Sequence, residues 1–336
     1  MQAVRAILTR LLTTAVTLFG VAVIVFVVIR VVPGNPIAMM LPPGATEADI
    51  ARLTALYGLD KSIPQQFLIW GAGVLRGDFG TSITTRQPVL SLVLGRLPAT
   101  LELSAMALVM AVVIGGLAAL AGTRFREGRA EAALDVANGM ALSVPDFLWG
   151  LILILLFGVL FPVFSISGRV TPSLDLPFTS NFYLVESILR LRLDLTRDLL
   201  AHMFMPALAL AIPLTAIIGQ LLKQSLKETM HLDYVTLART KGYGETRVIL
   251  REALRNAVLP TLTLVGVQFT FLIGGTVIIE RLFSYEGLGN MAIDAVINRD
   301  LPLIQGIVIL FAVIFTGVNL IVDLAYAALN PRLRNV

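Results

Sequence analysis

Leu11 to Ile29, LLTTAVTLFGVAVIVFVVI, runs for 19 residues without a charge and follows Arg5 and Arg10. It exceeds the roughly 7–15 residues of a secretory signal core and lacks a small-residue cleavage site, so it reads as a retained membrane span. The rest of the chain agrees. Of its 336 residues, 57% are hydrophobic and 14% charged, against roughly 25% charged in soluble domains. Mean hydropathy is +0.85. The apolar residues come in long runs rather than in alternation, which indicates helices rather than a barrel. The absence of cysteine excludes a disulfide scaffold and thiolate-held metals, and two histidines leave little for metal or general-base chemistry.

Further runs of about 20 apolar residues, enough to cross roughly 30 Å of hydrocarbon, lie near Ala99 to Gly122, Val136 to Phe161, Leu199 to Leu222, Ala257 to Ile279 and Ile304 to Leu329. With a first span over about 9–30, the expectation is an all-α integral membrane protein of six spans, one transmembrane domain over 1–336. Six spans put both termini on one side. If that side is the cytoplasm, the inner segments hold 14 of the 26 Lys and Arg in about half the length of the outer ones, as the positive-inside rule requires. The outer segment of about 31–98 is expected to form a cap of short helices, one capped by Thr46 and another beginning at Pro64. Gly77-Asp78-Phe79-Gly80 reads as a turn back to the membrane.

The inner segment of about 223–256 is too structured for a connector. In Asp233-Tyr234-Val235-Thr236-Leu237-Ala238-Arg239-Thr240-Lys241-Gly242, Asp233 reads as the N-cap of a short helix and Gly242 as its left-handed C′ residue. Such a basic cytoplasmic knob suits docking of a soluble partner; the alternative is an interfacial helix lying on anionic membrane lipid. The membrane carboxylates are few. Asp146 follows Pro145 in the third span and either lines a pathway or bonds a neighbouring span. Glu102 is placed near the positive start of the second span. Asp323 is expected to pair with Arg332, Arg334 or a backbone donor. His202 and His231 fall on opposite sides and cannot share a metal. Pro206 and Pro213 are candidates for bending the fourth span, and Gly115, Gly116, Ala119 and Gly122 for close helix approach.

The inner loop resembles the coupling loop of ABC importer permeases, in the version carried by the dipeptide, oligopeptide and nickel permease group. Arg30-Val31-Val32-Pro33-Gly34-Asn35-Pro36, Arg96 to Leu103, Phe283-Ser284-Tyr285-Glu286-Gly287-Leu288-Gly289, Arg299-Asp300-Leu301-Pro302, Asn319 to Asp323 and Pro331-Arg332 resemble that group's other motifs, in the same order over nearly the whole chain. Departures are Thr236-Leu237-Ala238 in place of Glu-Ala-Ala, Asn35 and Asn330 in place of Asp, and Glu252 in place of His.

The resemblance implies a B-type permease of the bacterial cytoplasmic membrane, not itself an enzyme. It would form half of a translocation pathway for di- or oligopeptides. Its implied partners are a homologous permease, an extracytoplasmic solute-binding protein and two ATPases that bind the ATP and Mg, leaving no cofactor in this chain. Asp233, Tyr234, Ala238, Arg239, Lys241 and Gly242 would face those ATPases. The chain has no Gly-x-x-x-x-Gly-Lys-Ser/Thr loop of its own, and nothing suggests nucleic-acid binding. The alternatives are the same architecture importing nickel, glutathione or another small solute, or an ion-coupled secondary transporter. The absence of visible inverted repeats and of mid-span charge stands against the last.

Overall fold

A computed structural model describes the backbone of residues 2–31, 46, 48, 60–125 and 128–329, and the side chains of 12–28 and, within the later ranges, up to 322. The helices are α1 (Gln2–Val31), α2 (Ile63–Leu75), α3 (Val89–Arg124), α4 (Arg129–Ser143), α5 (Asp146–Leu160), α6 (Tyr183–Leu189) and α7 (Leu193–Thr229). They continue with α8 (Asp233–Thr240), α9 (Glu245–Leu282), α10 (Leu288–Ile297) and α11 (Leu301–Leu329). Among the described residues, α3, α7, α9 and α11 are each long and apolar enough to cross a membrane, and α4 with α5 make a fifth if counted as one broken span. In α1 the described apolar stretch is the shorter Leu12–Val28.

The third apolar run is not the continuous span that 136–161 suggests. It bends by 103° between α4 and α5. Pro145 has no N–H to donate and forces Val144 into an extended conformation (φ −102°, ψ 125°), while the Ser143 hydroxyl bonds back to the Gly139 carbonyl. Helix α5 then closes with a π-helical stretch over Ile154–Leu160, as α9 opens with one over Val248–Ala253.

The chain divides into two compact units. In the first (Met1–Leu97 with Met291–Gly317), α1 packs on α2 through edge-on Phe26 and Phe67, whose centroids are 5.2 Å apart, with Trp70 beside them. Pro64 sits in the first turn of α2, as expected. The expected turn also forms: Gly77 and Gly80 both take positive φ, and the Asp78 carboxylate accepts the Gly80 N–H. Asp300 precedes α11 and accepts the Leu303 N–H, the Ser82 hydroxyl and the Thr84 N–H, so one side chain caps a helix and clasps the 81–88 loop. Apart from residues 46 and 48, the helix expected from Thr46 onward lies outside the described residues.

In the second unit (Pro98–Asn290 with Val318–Val336), α3 buries Ala99, Leu103, Ala107 and Ala111, one residue every fourth position, against α7, α9 and α5. The backbones of α3 and α7 nearly touch. A Cβ on Gly115 would stand 2.7 Å from the Thr215 carbonyl oxygen, so the small-residue reading of that helix holds at this position. Helix α7 runs unbroken for 37 residues through Pro206 and Pro213.

Candidate functional site

The knob is built on a second apolar cluster. Leu222, Leu226 and Met230 at the end of α7 meet Val235 and Ala238 of α8 and Val248, Ile249, Ala253 and Ala257 of α9. Val235 is 0% and Ala238 5% exposed, so α8 is folded onto its own chain by a face of two residues three apart. Ala238 therefore packs chiefly within the loop. Asp233 is not the N-cap; extended Leu232 occupies that position without a side-chain cap, and Asp233 is the first helical residue, its charge at the positive end of α8.

The other end matches the expectation. Gly242 takes φ +80°, its N–H reaches the Arg239 carbonyl and that of Tyr243 reaches Ala238, the paired bonds of a Schellman stop. Arg239, though exposed, also bonds within the loop. It donates to both carboxylate oxygens of Glu245 and to the Met230 carbonyl, tying together the turns on either side of α8. Arg247 lies over the Tyr243 ring at 3.9 Å, and Asn256 donates to the Tyr234 hydroxyl at 2.7 Å. Among the exposed side chains of α8 are three in a row at positions i, i+3 and i+7: Tyr234, Leu237 and Lys241. Leu237, 55% exposed, is the largest apolar surface on the helix, and it sits at one of the positions where the sequence departs from Glu-Ala-Ala.

The opposite end of α7 is held by buried polar groups. Glu102 lies in the middle of α3, far from the helix start where the sequence placed it, because α3 begins ten residues before the apolar run. Its carboxylate accepts from Arg169 at 2.8 Å and from the N–H groups of Leu184 and Val185, capping α6 from another helix. Arg169 donates also to the Asn181 carbonyl and stacks on the Tyr183 ring at 4.0 Å. Glu186 accepts from the hydroxyls and backbone N–H groups of Thr179 and Ser180 and pairs with Arg190. Those bonds, the Ser180 hydroxyl foremost, hold its pKa down to about 2. Asp198 receives the Thr171 hydroxyl and N–H, and His202 Nδ1 donates to the Asp198 carbonyl at 2.9 Å, which makes it a structural histidine. His231 bonds the Lys227 carbonyl near the other end of α7. No three potential metal ligands converge among the described residues. Asp146 is half-buried at the start of α5, where its carboxylate accepts its neighbour's N–H. The side chain of Asp323, like Arg332 and Arg334, lies outside the described set.

Family models place the chain. Residues 111–335 match the binding-protein-dependent transport system inner membrane component, and residues 3–104 match the N-terminal model of such membrane components. The chain belongs to this family. Among similar proteins are the dipeptide transport system permease of Escherichia coli K12 (37% identical; 98% of each chain) and the di/tripeptide transport system permease of Pseudomonas aeruginosa UCBPP-PA14 (35%; 95% of each). The glutathione transport system permease of Salmonella choleraesuis is 33% identical over 98% of each. A crystal structure of an amino acid ABC transporter with histidines aligns at TM-score 0.50 and 15% identity, over 71% of this chain and 94% of that one. It supports the fold alone. The protein is thus an all-α ABC-type permease of the peptide group.

The permease's motifs also gain a physical reading that the sequence alone did not yield. Glu280, absent from the carboxylates expected to matter, is fully buried and accepts from Thr100 at 2.7 Å, Thr276 at 3.1 Å and the Asn290 N–H at 3.0 Å. Thr100 turns to accept the Leu288 N–H. A Cβ at Gly287 would collide with that carboxylate, and one at Gly289 with the backbone of Val277. The glycines in Tyr285 to Gly289 therefore make room for an acid from α9, and Thr100 in the Arg96 to Leu103 motif is its partner. The available signal was a single Glu at the end of an apolar run facing a Gly-x-Gly turn.

Proposed function

We propose that this permease is one membrane half of an ATP-driven peptide importer, and that α8 delivers the ATPase stroke to it. The reading rests chiefly on near-full-length similarity to permeases named for dipeptide transport at 35–37% identity. The self-braced knob supports the mechanical part. A helix fixed by an apolar face, a Schellman stop and an Arg239–Glu245 clamp transmits force as a unit, and its outward Tyr234, Leu237 and Lys241 provide an anchor of aromatic, apolar and cationic type for a groove on a partner.

In this reading six spans cross the bacterial cytoplasmic membrane with both termini inside. A homologous permease completes the pathway, two ATPases bind ATP and Mg, and a solute-binding protein delivers the peptide. Reconstitution tests it. Proteoliposomes holding the permease pair and ATPases should take up Ala-Phe only with ATP on the ATPase side and the binding protein on the other, and ionophores should not matter. Uptake driven by an ion gradient without ATP would replace this reading with a secondary transporter. The glutathione permease relative at 33% identity supports a second substrate reading; efficient competition by glutathione against Ala-Phe would favour it.

A further inference from the structure

Toward the end of α7 remote from the knob, about 45 Å away along that 37-residue helix, a partly open cleft of about 640 Å³ is walled by Met106, Phe164, Leu200 and Phe204. Phe164 and Phe204 stack face to face with centroids 4.4 Å apart and give it a rigid aromatic side. Arg197, itself exposed, lines it next to Thr196. The segment from 162 to 198 carries four cations, and three of them are matched: Arg169 by Glu102, Arg190 by Glu186 and Arg192 by Asp194. The two carboxylates nearest Arg197 in the chain are engaged elsewhere, Asp194 with Arg192 and Asp198 with Thr171. Among the described residues the Arg197 guanidinium has no hydrogen bond or ion pair.

We propose that this cleft is a peptide subsite, in which Arg197 binds the C-terminal carboxylate of a short peptide and the aromatic and aliphatic walls take its last side chain. The inference rests on the peptide-importer reading above and adds the end of the peptide recognised and the residue recognising it. A guanidinium presents a planar fork that fits a carboxylate with two parallel bonds. An apolar pocket of a few hundred Å³ with one charged group at its edge has the make-up of a small-ligand site. Its limited volume suits one or two residues of a peptide better than the paired acyl chains of a phospholipid, whose headgroup phosphate is the competing anion.

The test uses the assembled transporter with its binding protein and Ala-Bpa, a dipeptide ending in photoreactive p-benzoylphenylalanine, with ATP-dependent uptake of Ala-Phe by the wild type as the control. Irradiation should label segments containing Met106 or Phe204. Arg197→Gln should cut that labelling about tenfold or more, as loss of a charge-assisted bond implies. Arg197→Lys should retain part of it. Leu200→Trp, which fills the cleft and leaves the guanidinium in place, should lower labelling as well. The C-terminal amide of Ala-Bpa should label the wild type no better than the acid labels Arg197→Gln. Unchanged labelling in Arg197→Gln while the wild type imports Ala-Phe overturns the subsite and leaves the importer reading standing. Native mass spectrometry showing an anionic phospholipid held by the wild type and lost from Arg197→Gln, with labelling unaffected, reassigns the cleft to lipid. Absence of Ala-Phe uptake by the wild-type assembly refutes the importer reading itself.

Discussion

The two ends of α7 are made rigid by opposite chemistry. At one end the segment from 169 to 202 is pinned by buried and half-buried charges whose hydrogen-bonding capacity is largely filled by other side chains and backbone: Glu102 by Arg169 and two N–H groups, Glu186 by Thr179, Ser180 and Arg190, and half-buried Asp198 by Thr171. At the other end the knob is pinned by small and aliphatic residues, and its charges lie on the surface. The difference matters for how each end responds to injury. A buried charge that loses its partner leaves a desolvated ion behind, whereas an apolar contact that loses a methyl group leaves only a small void. The first end is therefore brittle and specific. The second tolerates surface change and fails only when its packed face or its stop is broken.

The sharpest way to break this comparison is at Glu102. Glu102→Ala strands Arg169 and two α6 N–H groups, and a loss of about 3–5 kcal/mol is expected. Thermal unfolding of the detergent-solubilised permease should report it as a large drop in Tm. If the drop is no larger than for an exposed variant such as Thr84→Ala, the brittle-end account is wrong.

At the knob, Ala238→Glu forces a carboxylate into an apolar contact only 5% exposed. It should abolish coupled uptake and binding-protein-stimulated ATPase activity while the permease still inserts. Leu237→Ala, on the outward row, should leave thermal stability within about 0.5 kcal/mol and yet weaken ATPase binding. Equal loss of stability in both variants would remove the distinction between the packed and outward faces.

Gly242 supplies a finer test. No atom lies within 4 Å of an added Cβ, so the cost of a substitution there is conformational rather than steric. Gly242→Ala should cost about 1 kcal/mol through its positive φ, and Gly242→Asn less, because Asn tolerates that region better. Hydrogen exchange at Tyr243 reads the Schellman bond directly and should follow the same order.

The smallest effect is expected from pH. The pKa of Glu186 is lowered in the folded protein to about 2 from an ordinary carboxylate value of 4.5, so the stabilisation it lends is complete above pH 4.5 and fades as pH falls toward 2. Exchange protection of the Thr179 and Ser180 amides should decline through that window in the wild type. In Glu186→Gln it should be weak and flat across the same range. A decline shared equally by amides in α7 would mean that the whole unit, rather than this loop, responds to acid.

Much of this architecture was open to reading without coordinates. The apolar runs located the helices, Gly242 announced a helix stop, Gly77 and Gly80 a turn, and Pro64 the start of α2, because each rests on a local constraint of length, φ or a missing N–H. The broken third run was half legible: Pro145 was in plain view, but a proline in an apolar run either kinks or interrupts it, and only the positions of Ser143, Val144 and Trp149 separate the cases. Trp149 donates across the bend to the Ala141 carbonyl.

Partnership was the part that local reading could not reach. Glu102 was placed at a helix start because its own apolar run begins at Ala99, yet α3 extends back to Val89 and the residue's real partners stand 67 to 83 positions away. Glu280 passed unremarked although Thr100, 180 positions distant, bonds to it. Arg239 reads from the sequence as a surface cation; it is exposed, and it also clamps its own loop through Glu245 and the Met230 carbonyl. By itself the sequence determined membrane class, the apolar runs, the basic knob and the family, since hydrophobic length, turn stereochemistry and ordered motifs are properties of contiguous residues. Only the tertiary structure decided which charges are buried, how α8 is seated and that Arg197 alone of the four cations in the 162–198 segment has no ion pair. Those depend on side chains far apart in the chain being brought together by helix packing, and the cost of burying a charge is set by what it meets there.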